Sequence, residues 1–340
     1  MSGLAGVPAN ARTVVLNLTG AIPTQATYFT LWPSGENRPT TSNHNLAPGD
    51  TAAVLAIVKI GANGKIALYN DAGAAHVIVD VMGYFLDPAA GPGSRQKGLS
   101  PARLVDTRSG AGAPAAQIAA GGTLDFTVLG VGGVPADATA VVLNVTGVAP
   151  SGSGGYLTVW PAGEPLPLAS NLNLGSGQTR ANLVIAKVGA GGRVSVLNQA
   201  GPTHLVVDVF GYFSPSAGAG QVGILPQRAL DTRSGIGTLG LAQRIPAGGQ
   251  VTFRASGFGA VPDYASSVVL NIIAINSTEA GFFTVYPTGE VRPWTSNLNM
   301  AAGEVTTNEV IAKVGVGGSI TIFNGSGTTD IVVDVMGYFA

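Results

Sequence analysis

The chain has 340 residues, 10% charged and 46% hydrophobic, with 50 Gly, 21 Pro, no Cys and a formal net charge of -1. That apolar content excludes a solvated disordered chain, and the sparse, balanced charge with no basic run leaves no footprint for nucleic-acid phosphates. The absence of Cys excludes disulfides, Cys-ligated zinc, iron–sulfur clusters and thiol nucleophiles together.

In chain order, residues 1–17 lack a basic stretch followed by an apolar run, so no signal peptide is expected here, and no window reaches the ~18 apolar residues of a membrane span. Val14-Val15-Leu16-Asn17 opens a pattern that returns at Val141–Asn144 and Val268–Asn271, 127 residues apart each time. Each copy continues through an aromatic strand (Trp32-Pro33, Trp160-Pro161, Tyr286-Pro287), a Gly-Glu pair (Glu36, Glu164, Glu290) and a Ser-Asn-x-Asn element (Asn43, Asn171, Asn297). It closes on Val-Asp-Val-x-Gly-Tyr-Phe, with the aspartates at Asp80, Asp208 and Asp334. Self-similarity at a fixed period is the mark of a repeat protein, here with three tandem modules.

A further segment, Pro-x-Arg-x-x-Asp-Thr-Arg-Ser-Gly, occurs twice, at 101–110 and 226–235. If it opens a module, the first copy lacks its opening segment; if it closes one, the third copy is incomplete. Gly, Pro, Ala and Ser at 86–100 and 214–225 read as linkers and favour the first choice, giving modules at 1–85, 101–213 and 226–340. Almost every stretch is broken by Gly or Pro within about eleven residues, which leaves little room for helices. Short Val-, Ile-, Thr- and aromatic-rich runs predict an all-β protein of three β-sandwich or small-barrel modules, in a linear string or about a pseudo-threefold axis. In the middle copy the strands fall near 124–129, 140–148, 155–160, 180–188, 193–197 and 204–210.

Side-chain alternation sets Leu157 and Val159 on one face of the aromatic strand, with Tyr156, Thr158 and Trp160 on the other. Trp32, Trp160, Tyr286 and Trp294, near Glu36, Glu164, Glu290, Asn43, Asn171 and Asn297, have a sugar-binding composition, because rings stack on pyranose faces while amides and carboxylates bind hydroxyls. The same aromatics could instead cap the sandwich. Trp294 replaces Thr40 and Leu168 of the other copies, so the third loop is the candidate specialised site. Asp80, Asp208 and Asp334 sit among apolar neighbours and need cations; Arg108 and Arg233, or Arg103 and Arg228, are the candidates. No dense oxygen cluster for calcium, no spacing for a metal and no nucleophile–base arrangement stands out, and a site in triplicate suits a scaffold better than catalysis; no cofactor is expected.

Together the strings Pro-x-Arg-x-x-Asp-Thr-Arg-Ser-Gly, Val-Val-Leu-Asn-Val-Thr, Gly-Tyr-Leu-Thr-Val-Trp-Pro, Ser-Asn-Leu-Asn and Val-Val-Asp-Val-Phe-Gly-Tyr-Phe resemble tandem modules of secreted and cell-surface proteins from actinomycete-type bacteria. The resemblance implies an extracellular or cell-surface, non-catalytic, accessory or adhesive role. The expected partner is a cell-envelope or environmental polysaccharide held at repeated weak sites that gain from avidity. The alternative is a structural component of a surface layer, fibre, phage or other extracellular particle, whose partners are other protein subunits.

Overall fold

The computed structural model describes Gly3, residues 6–87 and residues 93–340. It is all-β, with six small sheets in a propeller-like ring. The strands are β1 (Ala11–Ala21), β2 (Thr27–Pro33), β3 (His44–Leu46), β4 (Thr51–Lys59), β5 (Ile66–Asn70) and β6 (His76–Leu86). Next come β7 (Arg95–Asp106), β8 (Thr123–Thr127), β9 (Ala140–Val148), β10 (Gly155–Pro161), β11 (Leu172–Leu174), β12 (Thr179–Lys187), β13 (Arg193–Asn198) and β14 (His204–Ser214). The chain ends in β15 (Gln221–Asp231), β16 (Gln250–Arg254), β17 (Ser267–Ile275), β18 (Gly281–Pro287), β19 (Leu298–Met300), β20 (Thr306–Lys313), β21 (Ser319–Asn324) and β22 (Asp330–Phe339).

Each sequence copy supplies two antiparallel sheets. Three sheets have the orders β4-β1-β6, β12-β9-β14-β7 and β20-β17-β22-β15; the other three are β3-β2-β5, β11-β10-β13-β8 and β19-β18-β21-β16. The runs Val14–Leu16, Val141–Leu143 and Val268–Leu270 are continuously apolar because their strands are buried on both faces. Leu16, Leu143 and Leu270 enter three separate cores between the paired sheets, while Val15, Val142 and Val269 enter a fourth core shared by all three copies.

In that shared core the last phenylalanine of each closing motif meets the other two. The Phe85–Phe213, Phe85–Phe339 and Phe213–Phe339 ring centroids are 5.7, 5.9 and 6.2 Å apart, within the range of favourable aromatic contacts. The copies are also joined by polar bonds. Nδ2 of Asn17 donates to the Ser170 carbonyl (2.7 Å), Asn144 to Ser296 (2.6 Å) and Asn271 to Ser42 (2.5 Å), so the third copy closes back on the first. Arg180 from the second copy bonds Asp50 of the first (3.0 Å) and Glu304 of the third (3.3 Å).

The strand readings hold at 140–148, where β9 coincides with the expected span. The segment read as a linker at 86–100 is strand from Arg95 onward, its residues 88–92 lie outside the described part, and Gln221–Leu225 likewise belongs to β15. Pro101 and Pro226 disguise these strands, but both lie on edge strands, where a missing N–H is tolerated. The short β11 was also not legible. β7 pairs with β14 and β15 with β22, so each Pro-x-Arg segment lies in the sheet of the copy that follows it, and among the described residues the sheet β4-β1-β6 has three strands where its two counterparts have four.

Candidate functional site

The closing strand places Asp208 and Asp334 where they are fully buried, each beside the arginine of the adjacent edge strand. Arg103 grips Asp208 through Nε (2.7 Å) and Nη2 (3.2 Å), and Arg228 grips Asp334 in the same two-pronged way (2.8 and 3.2 Å). The expectation that Arg108 and Arg233 could pair with the closing aspartates is corrected. They fold back two residues to Asp106 (2.6 Å) and Asp231 (2.8 Å), which also receive Arg103 and Arg228. Carboxylate and guanidinium thus alternate in a four-member chain: Asp208, Arg103, Asp106, Arg108. Burial pushes the Asp208 carboxyl up to about 6 despite Arg103, while hydrogen bonds from Arg108 hold Asp106 down at about 2. Both are ionised at neutral pH, as the paired geometry requires. Asp80 has no such arginine among the described residues, and burial raises its carboxyl.

The repeated aromatic face is occupied by the protein itself. The loop carrying each Ser-Asn-x-Asn element folds over it: Thr30, Thr158 and Thr284 donate to the carbonyls of Thr41 (2.7 Å), Ala169 (3.1 Å) and Thr295 (2.5 Å). Asn43, Asn171 and Asn297 are buried and their Oδ1 atoms accept the N–H of Leu31, Val159 and Val285 at 2.6–2.7 Å. They are not placed to meet a ligand, because the unpaired mid-strand N–H groups need these acceptors. Trp32 and Trp160 are half-buried, and their indole N–H groups donate to the Glu36 and Glu164 carbonyls (3.0 and 3.1 Å). Tyr286 is buried and donates to Gln250 (2.9 Å). Glu36 and Glu290 hold Lys59 (2.7 Å) and Lys313 (2.6 Å), whereas Glu164 is exposed. At Thr30, Thr158 and Thr284 the threefold face read from alternation is therefore a packing surface.

Trp294 is the exception. It is 85% exposed and lines, with Arg103, Arg108, Phe282, Arg292 and Asn299, a cleft of about 210 Å³ between the second and third copies. Arg103 ties the cleft together by donating to the Trp294 carbonyl (2.9 Å). Arg103 and Arg108 are neutralised by their aspartates. Arg292 has no carboxylate within ion-pair distance among the described residues; its guanidinium lies 3.9 Å from the Phe323 ring centre and 5.2 Å from that of Trp294. The cleft thus offers one uncompensated cation, an open indole and a side-chain amide. Sequence reasoning singled out Trp294 and Arg108 but not Arg292 or Asn299. The available signal was the covarying pair: Arg38 lies over Tyr69 (3.7 Å) as Arg292 lies over Phe323, while the second copy has Leu166 and Leu197.

Among the described residues no three His, Asp or Glu side chains gather to hold a metal ion, and no helix is long and apolar enough to cross a membrane. No protein-family profile matches the chain, and no curated protein matches it. Solved structures similar to it include an archaeal virus protein described by its triple jelly roll fold and turret assembly (TM-score 0.19, 7% identity, 97% of this chain and 79% of that one). A structure of the Sulfolobus turreted icosahedral virus has TM-score 0.18 and 9% identity over 97% of this chain and 79% of that one. The cycloalternan-forming enzyme from Listeria monocytogenes has TM-score 0.20 and 12% identity over 94% of this chain and 28% of that one. Likeness at these scores carries no argument about fold, partner or chemistry.

Proposed function

We propose that the chain is a non-catalytic, extracellular or cell-surface protein of three tandem two-sheet modules, closed about an approximate threefold axis, that binds an acidic polysaccharide. One observation carries the ligand: the cleft with exposed Trp294 and the uncompensated Arg292. The indole gives a pyranose face a flat apolar partner, the guanidinium gives a uronate carboxylate a charged donor, and Asn299 serves hydroxyls. The identity of the residues differs at each seam between copies, with Thr40 and Leu168 in place of Trp294. Recognition at a single seam replaces the expectation of three equivalent weak sites.

The test is calorimetric titration with polygalacturonate and, as the neutral comparison, dextran. The acidic polymer should bind and dextran should not, with Trp294→Ala and Arg292→Ala each weakening binding by ~10-fold or more, the order of one lost stacking or ionic contact. Equal affinity of wild type and both variants would refute the cleft. No binding at all, together with multimers or filaments in solution, would point instead to a structural subunit of a layer, fibre or particle.

A further inference from the structure

The flank of β6 repeats a strand-binding surface on which no strand lies among the described residues. β14 and β22 are paired on both sides, by β9 and β7 and by β17 and β15, but among the described residues β6 is paired by β1 alone. Ile78, Val79 and Tyr84 are 53, 36 and 43% exposed, whereas their counterparts Val206, Val207 and Tyr212 are 3, 0 and 9% exposed. On the companion sheet Leu68 is 38% exposed, while Val196, beneath β8, is fully buried.

Two further details show that β6 is shaped for a neighbour. A Cβ at Gly211 would lie 2.7 Å from the Lys97 carbonyl and one at Gly337 2.9 Å from that of Val222, yet at Gly83 nothing lies within 4 Å. The glycine that admits a close strand is present, and among the described residues no strand approaches it. Asp80 keeps the position of Asp208 and Asp334, but among the described residues no arginine meets it as Arg103 and Arg228 meet the other two. Leu168, the counterpart of the Trp294 whose carbonyl Arg103 holds, is fully exposed on the loop that Asn17 anchors to the first copy.

We propose that the open edges of β6 and β5 accept an extended segment carrying the Pro-x-Arg-x-x-Asp pattern, added as a strand antiparallel to β6 with its arginine on Asp80. Main-chain pairing supplies affinity, and the arginine fixes register. Charge complementarity selects this occupant: the edge presents a carboxylate, and in the other two copies that same position is filled by arginine. A second copy of this chain does not serve, because freeing its own 95–127 or 221–254 segment opens an equal gap elsewhere. Pairing β6 with another β6 brings carboxylate edges together without a cation. The inference concerns a surface outside the Trp294 cleft and does not depend on the ligand proposed there.

The probe is a fluorescein-labelled synthetic peptide with the sequence of residues 95–127, titrated with the full chain by anisotropy and followed by hydrogen exchange. Saturable binding is expected, with new protection of the amides from Ile78 to Val81 and a loss of ~10-fold or more in affinity for the peptide carrying Arg103→Ala or the protein carrying Asp80→Ala. The peptide variant leaves the protein untouched, so it separates lost pairing from misfolding. No binding at ~100 µM peptide would overturn the proposal. So would equal affinity for the Arg103→Ala peptide, or protection of β14 or β22 instead of β6.

Discussion

His44 stands in the first copy where Leu172 and Leu298 stand in the others, with all three side chains buried. Its Nε2–H donates to the Ala52 carbonyl (2.8 Å), Nδ1 has no hydrogen-bond partner among the described residues, and burial lowers its pKa from 6.5 to about 4. A base whose pKa is depressed in the native state stays neutral there while the unfolded chain takes up the proton. Stability is therefore lost as pH falls from the unfolded value of 6.5 towards 4. At pH 5 this amounts to ~2 kcal/mol relative to neutral pH, worked from the two pKa values at about 1.36 kcal/mol per unit. His44→Leu should remove that loss while changing stability at pH 7 by no more than ~1 kcal/mol, because only one hydrogen bond is given up and leucine already fits the equivalent sites. Urea unfolding of both proteins at pH 7 and pH 5 measures the difference, with the variant as reference for all other titrating groups. The reasoning is refuted if the two proteins lose equal stability between those pH values.

Three other substitutions follow from the buried polar groups. Arg103→Leu leaves the fully buried Asp208 unpaired and should cost ~3–5 kcal/mol by thermal or urea unfolding; adding Asp208→Asn should recover part of it, and strict additivity would deny the coupling. Asn271→Ala removes the bond to Ser42 that closes the third copy on the first and should cost ~1–3 kcal/mol, with increased exchange at the 42–45 loop as the local signature. Glu309 occupies the place of Leu55 and Leu183, is fully buried, and among the described residues accepts only the Ile57 N–H (2.9 and 3.2 Å), so burial raises its carboxyl well above the usual range. An acid raised in the native state stabilises below the unfolded pKa and loses that contribution as pH rises. Glu309→Gln should therefore gain on wild type as pH is raised from 4.5 to 8, and parallel stability curves would contradict a neutral buried acid.

Much of this fold is legible in the sequence because repetition multiplies weak signals. Alternation in Tyr156–Trp160 places Leu157 and Val159 in the core, at 1 and 3% exposure, and three copies of the same string exclude chance. The same alternation cannot say what covers the opposite face. A loop eleven residues downstream in each copy does so, and that is a tertiary fact. Likewise the need of Asp208 for a cation follows from its apolar neighbours, but the choice between Arg103 and Arg108 depends on register across two bulges in β7. Proline in an edge strand reads as a loop, which hid β7 and β15. The Trp294 cleft was half legible, since the odd residue in a repeat is visible by comparison, whereas Phe282 and Asn299 reach it from elements whose approach only folding reveals.

The claim on which the cleft, the seam bonds and the open flank all depend is that the three copies close into a ring. Asn37, Pro165 and Val291 are equivalent, exposed positions, and the absence of native cysteine allows clean pairwise labelling after cysteine substitution. Double electron–electron resonance on the three doubly labelled proteins should give three similar distances. A 37–291 distance far longer than 37–165 and 165–291 would mean a linear string and contradict the closed ring.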